Sequence, residues 1–311
     1  MWITNKVAVQ GRGHISENIP CQDKVFTIEE PHISVIALAD GAGSQRLSHI
    51  GAETVCRTTA EFFRTHCNRF ISDNLDELKT ELYRTLITAL EEKSLENDCD
   101  SIKELASTLL CLAVYKNKVI TAHIGDGIMA ERSNGFLSVL SDADNGEFSN
   151  QTTFVTSNTA MDHLRINVTS LNPDTDAFFI MSDGSMDSLY NPMKKQLSVA
   201  LNSFADMGMK FPSQYINDEL RKFFEESIRK RTLDDCSLCA LIRKKEYDLS
   251  CLRPNQIKII DYLRNNSEPI NVNALAARLY RRKHFRNFIR DIRQLAEKDC
   301  LSFENNTVSL I

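Results

Sequence analysis

The sequence predicts an α+β fold in which sheets are covered by layers of helix, and three observations carry that expectation. Short β-like runs ("KVAVQG", "KVFTIEE", "SVIALAD", "TLLCLAVYKNKVITAHIGD", "AFFIMSD", "CSLCALI") are interspersed with longer segments of three-and-four apolar spacing. Regular βαβ alternation is absent, which argues against a doubly wound parallel sheet. Around residues 243–254 the pattern breaks and a compact, mainly helical unit follows, so two domains are expected, 1–245 and 251–311.

Taken in order, "SHIGAETVCRTTAEFFRTH" (48–66) and "LDELKTELYRTLITALEEKSLE" (75–96) should each lay one apolar stripe on a sheet. "PSQYINDELRKFFEESIRKR" (212–231) reads as a third such helix, opened by a proline and closed by basic residues that suit the helix dipole. In the tail, "PNQIKIIDYLRNN" is a helix opened by Pro254, and "NVNALAARLY" is a shorter one capped by Asn271 or Asn273. "KHFRNFIRDIRQLAEKDC" places Phe285, Phe288, Ile289, Ile292 and Leu295 on one stripe and Arg286, Arg290 and Arg293 on another. "LSFENNTVSLI" reads as two strands around an Asn-Asn turn, which completes the outline of a winged helix.

Composition narrows the function classes. With 42% hydrophobic and 25% charged residues in 311, the chain has ordinary globular composition. No apolar stretch reaches the roughly 20 residues of a membrane helix, and "MWITNKVAVQ" lacks the layout of a signal peptide, so a cytoplasmic protein with no membrane contact is expected. Nine scattered cysteines suit buried core positions better than a disulfide framework. "CSLC" (236–239) is expected to be packing, because in a strand its two thiols face opposite ways. The net charge of −5 conceals an asymmetry: residues 251–311 hold 11 Lys and Arg against 6 Asp and Glu, while the remainder is strongly acidic. An acidic body suits cations and a basic tail suits a polyanion or an acidic partner.

Three apolar runs end on Asp-Gly, at Asp40, Asp126 and Asp183, while Asp23 and Asp234 stand at the starts of runs. In an antiparallel sheet the end of one strand lies beside the start of its neighbour, so all five carboxylates can share one edge. The glycines should let the backbone turn sharply there. Two like charges about 4 Å apart repel by ~4 kcal/mol at an effective dielectric near 20, so such an edge calls for counter-ions. All-oxygen ligation selects Mg²⁺ or Mn²⁺, and a pair of such ions suits an in-line phosphoryl displacement.

These residues resemble the bacterial type 2C metal-dependent protein Ser/Thr phosphatases. The resemblance runs in order through "GHISENIPCQD" (13–23), "ADGAGS" (39–44), "LASTLLCLAV" (105–114), "HIGDGIMA" (123–130), "MSDGSMD" (181–187) and "DDCSLCALI" (234–242), with "NGEFSNQTTFVTS" (145–157) similar to a segment of some bacterial members. It implies a four-layer αββα sandwich of two antiparallel sheets with the metal centre at one end. By position it implies that Asp40 bridges two Mn²⁺ or Mg²⁺ ions, that the Gly41 carbonyl binds one, and that Asp183 and Asp234 complete the pair. It implies that Asp23 binds a metal directly or through water, and that Asp126 and Asp183 hold a third, weaker ion. A hydroxide bridging the two ions would then attack phosphoserine or phosphothreonine, opposing a kinase.

The sequence departs from that pattern at three places. The arginine that many members carry five residues before the first aspartate is Asn18, leaving Arg12 or His14 as substitutes at the phosphate and His14 as a proton donor. The acidic partner before Asp23 is Gln22, which weakens one metal, and the usual Asn after the last metal aspartate is Asp235. Ser107 and Thr108 are expected to pack and to bond backbone, and "DADNGE" (142–147) to belong to a flap near the site rather than to a calcium loop. Two other functions compete with phosphatase: a catalytically silent phosphatase-like sensor acting through its tail, and a DNA-binding regulator with the body as sensor. The tail is expected to bind DNA or protein.

Overall fold

The computed structural model describes residues 1–143, 152–244, 252–266, 269–280, 284–298, 300–304 and 306–310. In chain order the body comprises β1 (Trp2–Val9), α1 (Arg12–Glu17), β2 (Lys24–Glu30), β3 (Ile33–Ala39), α2 (Ser48–His66), α3 (Arg69–Ser72) and α4 (Leu75–Glu96). Then follow β4 (Leu109–Tyr115), β5 (Lys118–Ile124), β6 (Ile128–Ser133), β7 (Phe136–Ser141), α5 (Ala160–His163), β8 (Arg165–Ser170), β9 (Thr175–Met181) and α6 (Asp183–Leu189). A small hairpin, β10 (Tyr190–Asn191) and β11 (Gln196–Leu197), leads into α7 (Val199–Lys210), α8 (Ser213–Phe223) and the last strand, β12 (Cys236–Arg243).

Two five-stranded antiparallel sheets organise these elements, in the orders β1-β12-β9-β6-β7 and β2-β3-β4-β5-β8. Side-chain alternation assigns each strand to two cores. From β3, Ile36 and Leu38 pack between the sheets with Leu110, Leu112, Phe178, Ile180 and Leu241, whereas Val35, Ala37 and Ala39 face the helices. Helix α4 presents Leu78, Leu82, Leu86 and Leu90, a strict four-residue repeat, and each is fully buried with α2 against one sheet. Leu201 and Phe204 of α7 and Ile216 and Leu220 of α8 cover the other sheet. The result is the expected order of layers, helix, sheet, sheet, helix.

Both long helices expected at 48–66 and 75–96 form over those residues. The helix expected over 212–231 is shorter: α8 gives way after Phe223 to one π-helical turn, Phe224–Ile228, with Pro212 as its N-cap. Cys236 and Cys239 belong to different cores, and burial pushes the Cys236 thiol up to about 12. "CSLC" is therefore packing.

The tail has an apolar core of its own, drawn from Leu252 to Leu310. Its elements are α9 (Pro254–Arg264), β13 (Ile270–Asn271), α10 (Val272–Leu279), α11 (Phe285–Glu297), β14 (Leu301–Glu304) and β15 (Thr307–Leu310), with the strands ordered β13-β15-β14. Pro254 is the first helical residue of α9, and the Asn271 side chain accepts the Asn273 N–H to cap α10. Among the described residues, no helix is long and apolar enough to cross a membrane.

The chain crosses from one sheet to the other between β5 and β6, through Gly125-Asp126-Gly127. Gly125 has φ +111°, and a Cβ there would lie 2.5 Å from the Thr108 methyl. Gly125→Ala is expected to lower stability by about 1–3 kcal/mol through strain and overpacking together. A shift of the urea midpoint at unchanged slope would measure it.

Candidate active site

Strand pairing sets the site. Lys24 of β2 lies opposite Ala39 of β3, which puts Asp23, one residue before β2, beside Asp40, one residue after β3. On the other sheet Met181 of β9 lies opposite both Leu238 of β12 and Ile128 of β6. Asp183, just beyond β9, is thereby flanked by Asp234 at the approach to β12 and by Asp126 at the approach to β6. Asp40 feels the charges of Asp23, Asp183 and Asp234, and Asp183 those of Asp126 and Asp234. Asp40 and Asp183 are within hydrogen-bond reach of each other. The five aspartates read from strand ends and strand starts thus gather at one end of the two sheets.

Local bonds fix their orientation. Asp40 and Thr108 exchange two hydrogen bonds: the Asp40 N–H donates to Thr108 Oγ1 at 2.9 Å and the Thr108 N–H to the Asp40 carbonyl at 2.8 Å. Gly41 forms a β-bridge with Ser107. Ser107 and Thr108 therefore both secure the backbone around Asp40. Asp23 is buried; its Oδ2 accepts from Ser182 Oγ at 2.7 Å, and its Oδ1 is enclosed with no hydrogen-bond partner. Asp126 accepts from the Thr152 hydroxyl. Asp234 Oδ1 accepts the Asp235 N–H at 2.8 Å.

The glycines differ from expectation. Gly41 and Gly184 have no positive φ, so neither makes the sharp turn anticipated from Asp-Gly. Asp183 instead begins helix α6, with Ser182 as N-cap, and its Oδ1 takes the Gly184 N–H at 2.6 Å. Glycine stands at 184 because the main chain of Asp235 crosses it: a Cβ would lie 2.1 Å from the Asp235 carbonyl oxygen. The requirement is for space rather than for a left-handed backbone.

Sequence reasoning missed the part played by Asp235. This carboxylate is buried, and it accepts the Gly11 N–H at 2.6 Å and the Gln22 N–H at 2.5 Å. His14 Nδ1 lies 2.9 Å from Asp235 Oδ2, at ion-pair distance but without hydrogen-bond alignment. One side chain thus ties the end of β1, helix α1 and the approach to Asp23 to the start of β12. The signal was present as an acid where an amide was expected, but its partners lie more than two hundred positions away in sequence. Arg12 donates through Nε to the Thr232 carbonyl at 3.1 Å, beside the Asp234 segment. Asn18 is the left-handed C-cap of α1 and is exposed. Gln22 is buried with its Oε1 unpaired.

Electrostatics follow from crowding. Burial, reinforced by neighbouring carboxylates, pushes Asp23 up to about 7 and Asp183 up to about 6, and raises Asp40 and Asp234 above the ordinary aspartate value. Among the described residues no three acidic, histidine or cysteine side chains already form a cation cage. The donor chemistry nonetheless fits a hard divalent ion: oxygens only, mutually repelling, with Asp23 Oδ1 and Gln22 Oε1 buried and unpaired. Beside this edge lies a groove of about 770 Å³, lined in part by Ala42, Gln45, Lys103, Thr152, Phe154 and Ser157. Of the flap expected from "DADNGE" and "NGEFSNQTTFVTS", residues 144–151 lie outside the described residues.

A model of the family "Protein phosphatase 2C" matches residues 10–225, more than two thirds of the chain and four of the five aspartates. The chain belongs to the protein phosphatase 2C family. Among solved structures, the S. agalactiae serine/threonine phosphatase is 17% identical, with TM-score 0.52, over 78% of this chain and 100% of that one. The Mycobacterium tuberculosis serine/threonine phosphatase PstP/Ppp is 11% identical, TM-score 0.53, over 78% and 99%. PppA, described as a key regulatory component of T6SS in Pseudomonas aeruginosa, is 15% identical, TM-score 0.51, over 78% and 97%. No curated protein matches the chain. At these identities the solved structures speak for the phosphatase 2C fold: α+β, with two main antiparallel sheets flanked by helices.

Two outcomes are expected at this edge. A carboxyl whose folded pKa is raised keeps its proton in the folded chain at a pH where the unfolded chain has lost it. That stabilisation is complete below the ordinary 3.8 and is lost as pH rises through about 6 for Asp183 and about 7 for Asp23. In chelator, the melting temperature should therefore fall from about pH 4 to about pH 7 and level off above that, and Mn²⁺ should restore it most at the upper end. Asp235→Ala, which leaves two main-chain N–H groups without their acceptor, should cost about 2–4 kcal/mol in urea unfolding.

Proposed function

We propose that the protein is a metal-dependent phosphoprotein phosphatase that hydrolyses phosphoserine and phosphothreonine, reversing the action of a protein kinase in the cytoplasm. The observation that carries this reading is the gathering, on a phosphatase 2C fold, of Asp23, Asp40, Asp126, Asp183 and Asp234 at one end of both sheets. Asp40, Asp183, Asp234 and the Gly41 carbonyl would hold two Mn²⁺ or Mg²⁺ ions, with Asp23 as a direct or water-mediated ligand and Asp126 with Asp183 taking a third. When bound, the ions would supply an activated water and neutralise the charge that develops on the phosphoryl oxygens.

The chain's own groups carry the rest. Ser182 turns Asp23 so that its Oδ1 stays available. Asp235 keeps His14 at the site's rim, where its other ring nitrogen holds a proton for the departing serine or threonine oxygen. The Arg12 guanidinium, anchored at Thr232, grips the phosphate in place of the missing arginine. The adjoining groove, with its hydroxyls and Lys103, accommodates the polypeptide around the phosphorylated residue.

Residues 251–311 are read as a winged-helix-like accessory domain and 1–245 as the catalytic domain. The order helix, strand, helix, helix, strand, strand and the separate apolar core support that division. One observation favours a second reading, a catalytically silent phosphatase-like sensor: the residue at the usual arginine position, Asn18, is exposed at a helix end.

Hydrolysis of p-nitrophenyl phosphate and of a phosphothreonine peptide, with Mn²⁺, with Mg²⁺ and with chelator, separates the two. Metal-dependent turnover is expected, abolished by Asp40→Asn or Asp183→Asn and lowered roughly 10²-fold or more in kcat on the peptide by His14→Ala. Metal binding without turnover in the wild type would establish the sensor instead.

A further inference from the structure

Helix α11 has one face in the tail's core and another that no described residue covers. Phe288, Ile292 and Leu295 are buried, and the opposite face carries Arg286, Arg290 and Arg293, all exposed. Their spacing of four and three residues aligns the guanidinium groups in one row, about 10 Å long at 1.5 Å rise per residue.

The state of the neighbouring charges distinguishes this row from an ordinary solvated face. Asp291, the acid nearest to these arginines on α11, is buried and turned away from them; it is held by Arg253 and by the Tyr280 hydroxyl at 2.8 Å. The other tail arginines among the described residues have partners: Arg253 is bound to Asp291 and Gln294, Arg264 lies 3.9 Å from Asp261, and Arg278 meets the hydroxyl and ring of Tyr262. Among the described residues, Arg286, Arg290 and Arg293 show no ion pair or side-chain hydrogen bond. Glu297 stands on the same face one turn beyond Arg293 and makes no ion pair with it. Ordinary exposed helices interleave the two signs at i,i+4, as Arg57 with Glu53 and Arg69 with Asp73 do on the body. Here Asp291 has been drawn inward and Glu297, at the far end, is the acid left on a face with three arginines, in a chain whose net charge is −5.

We propose that the Arg286–Arg290–Arg293 row is a docking surface for the phosphodiester backbone of duplex DNA. Guanidinium groups bind phosphate through paired N–H donors, and a row about 10 Å long faces strands that each carry one charge per about 3.4 Å of helix axis. The major groove, about 12 Å wide, admits an α-helix. An acidic polypeptide is the competing partner, but even a fully acidic extended chain carries only one charge per about 3.3 Å, where the duplex carries one per about 1.7 Å. The binding is electrostatic and independent of sequence, because the row offers charges for phosphates. It deepens the reading of 251–311 as an accessory domain and does not depend on hydrolytic activity.

Fluorescence anisotropy of the full-length protein with a labelled duplex, at salt from about 50 to about 200 mM, tests this. Wild type should bind at low salt, equally to duplexes of unrelated sequence, with log affinity falling linearly in log salt. Replacing Arg286, Arg290 and Arg293 together with Gln should weaken binding at least roughly 10-fold and reduce the slope by about 0.9 per arginine lost. Turnover of p-nitrophenyl phosphate and the melting temperature, followed in the same variant, report that the chain still folds. The proposal fails if the wild type does not bind the duplex at low salt. It also fails if the triple variant keeps the wild-type slope, or if polyglutamate of matched charge displaces the duplex as effectively as unlabelled DNA does.

Discussion

The repulsion among carboxylates that strand pairing forces onto one edge governs the rest of this molecule. Antiparallel register sets Asp23 beside Asp40 in one sheet and Asp126 beside Asp183 in the other, with Asp234 on the approach to β12, and the stacking of the two sheets brings the two sets together. The surrounding structure is arranged to hold that edge together before any cation contributes. Thr108 and Ser107 fasten the main chain at Asp40 and Gly41, Ser182 satisfies one oxygen of Asp23, and Asp235 secures the backbone on either side of His14. Burial raises the affinity of these aspartates for protons, and the same desolvation raises their affinity for any cation that can replace the proton.

Much of this was legible in the sequence because it rests on local patterns. The apolar repeat of Leu78, Leu82, Leu86 and Leu90 specifies a helix and its buried face together. The asymmetry between aspartates that end runs and aspartates that begin them is enough to place five side chains on one edge. The sharp turn expected of the glycines did not follow, since Gly41 and Gly184 are glycines for want of space and not for the sake of a turn.

What escaped the sequence depends on contacts across great chain distance or on half-exposed surfaces. Strands β7 and β8 lie at sheet edges and mix exposed with half-buried positions, so neither shows a continuous apolar run. Helices α6 and α7 begin where serine caps and strand residues read as loop. Asp235 looked like a substitution beside a ligand; only the folded chain shows that its carboxylate receives the amides of Gly11 and Gln22. Asp291 is the parallel case in the tail, an acid on a basic helix whose burial cannot be told from spacing alone.

The pairing of β1 with β12, from Trp2 against Arg243 to Val9 against Cys236, has a consequence for biosynthesis. The first strand emerges from the ribosome with its partner still to be made, and at about 5–20 residues per second the wait is roughly 10–50 s. During that time the second sheet, β2-β3-β4-β5-β8, has all its strands, while β1 remains an unmatched ribbon in need of protection. The last strand brings Asp234 and Asp235 with it, so the nascent chain closes its sheet and completes its acidic edge in one late event.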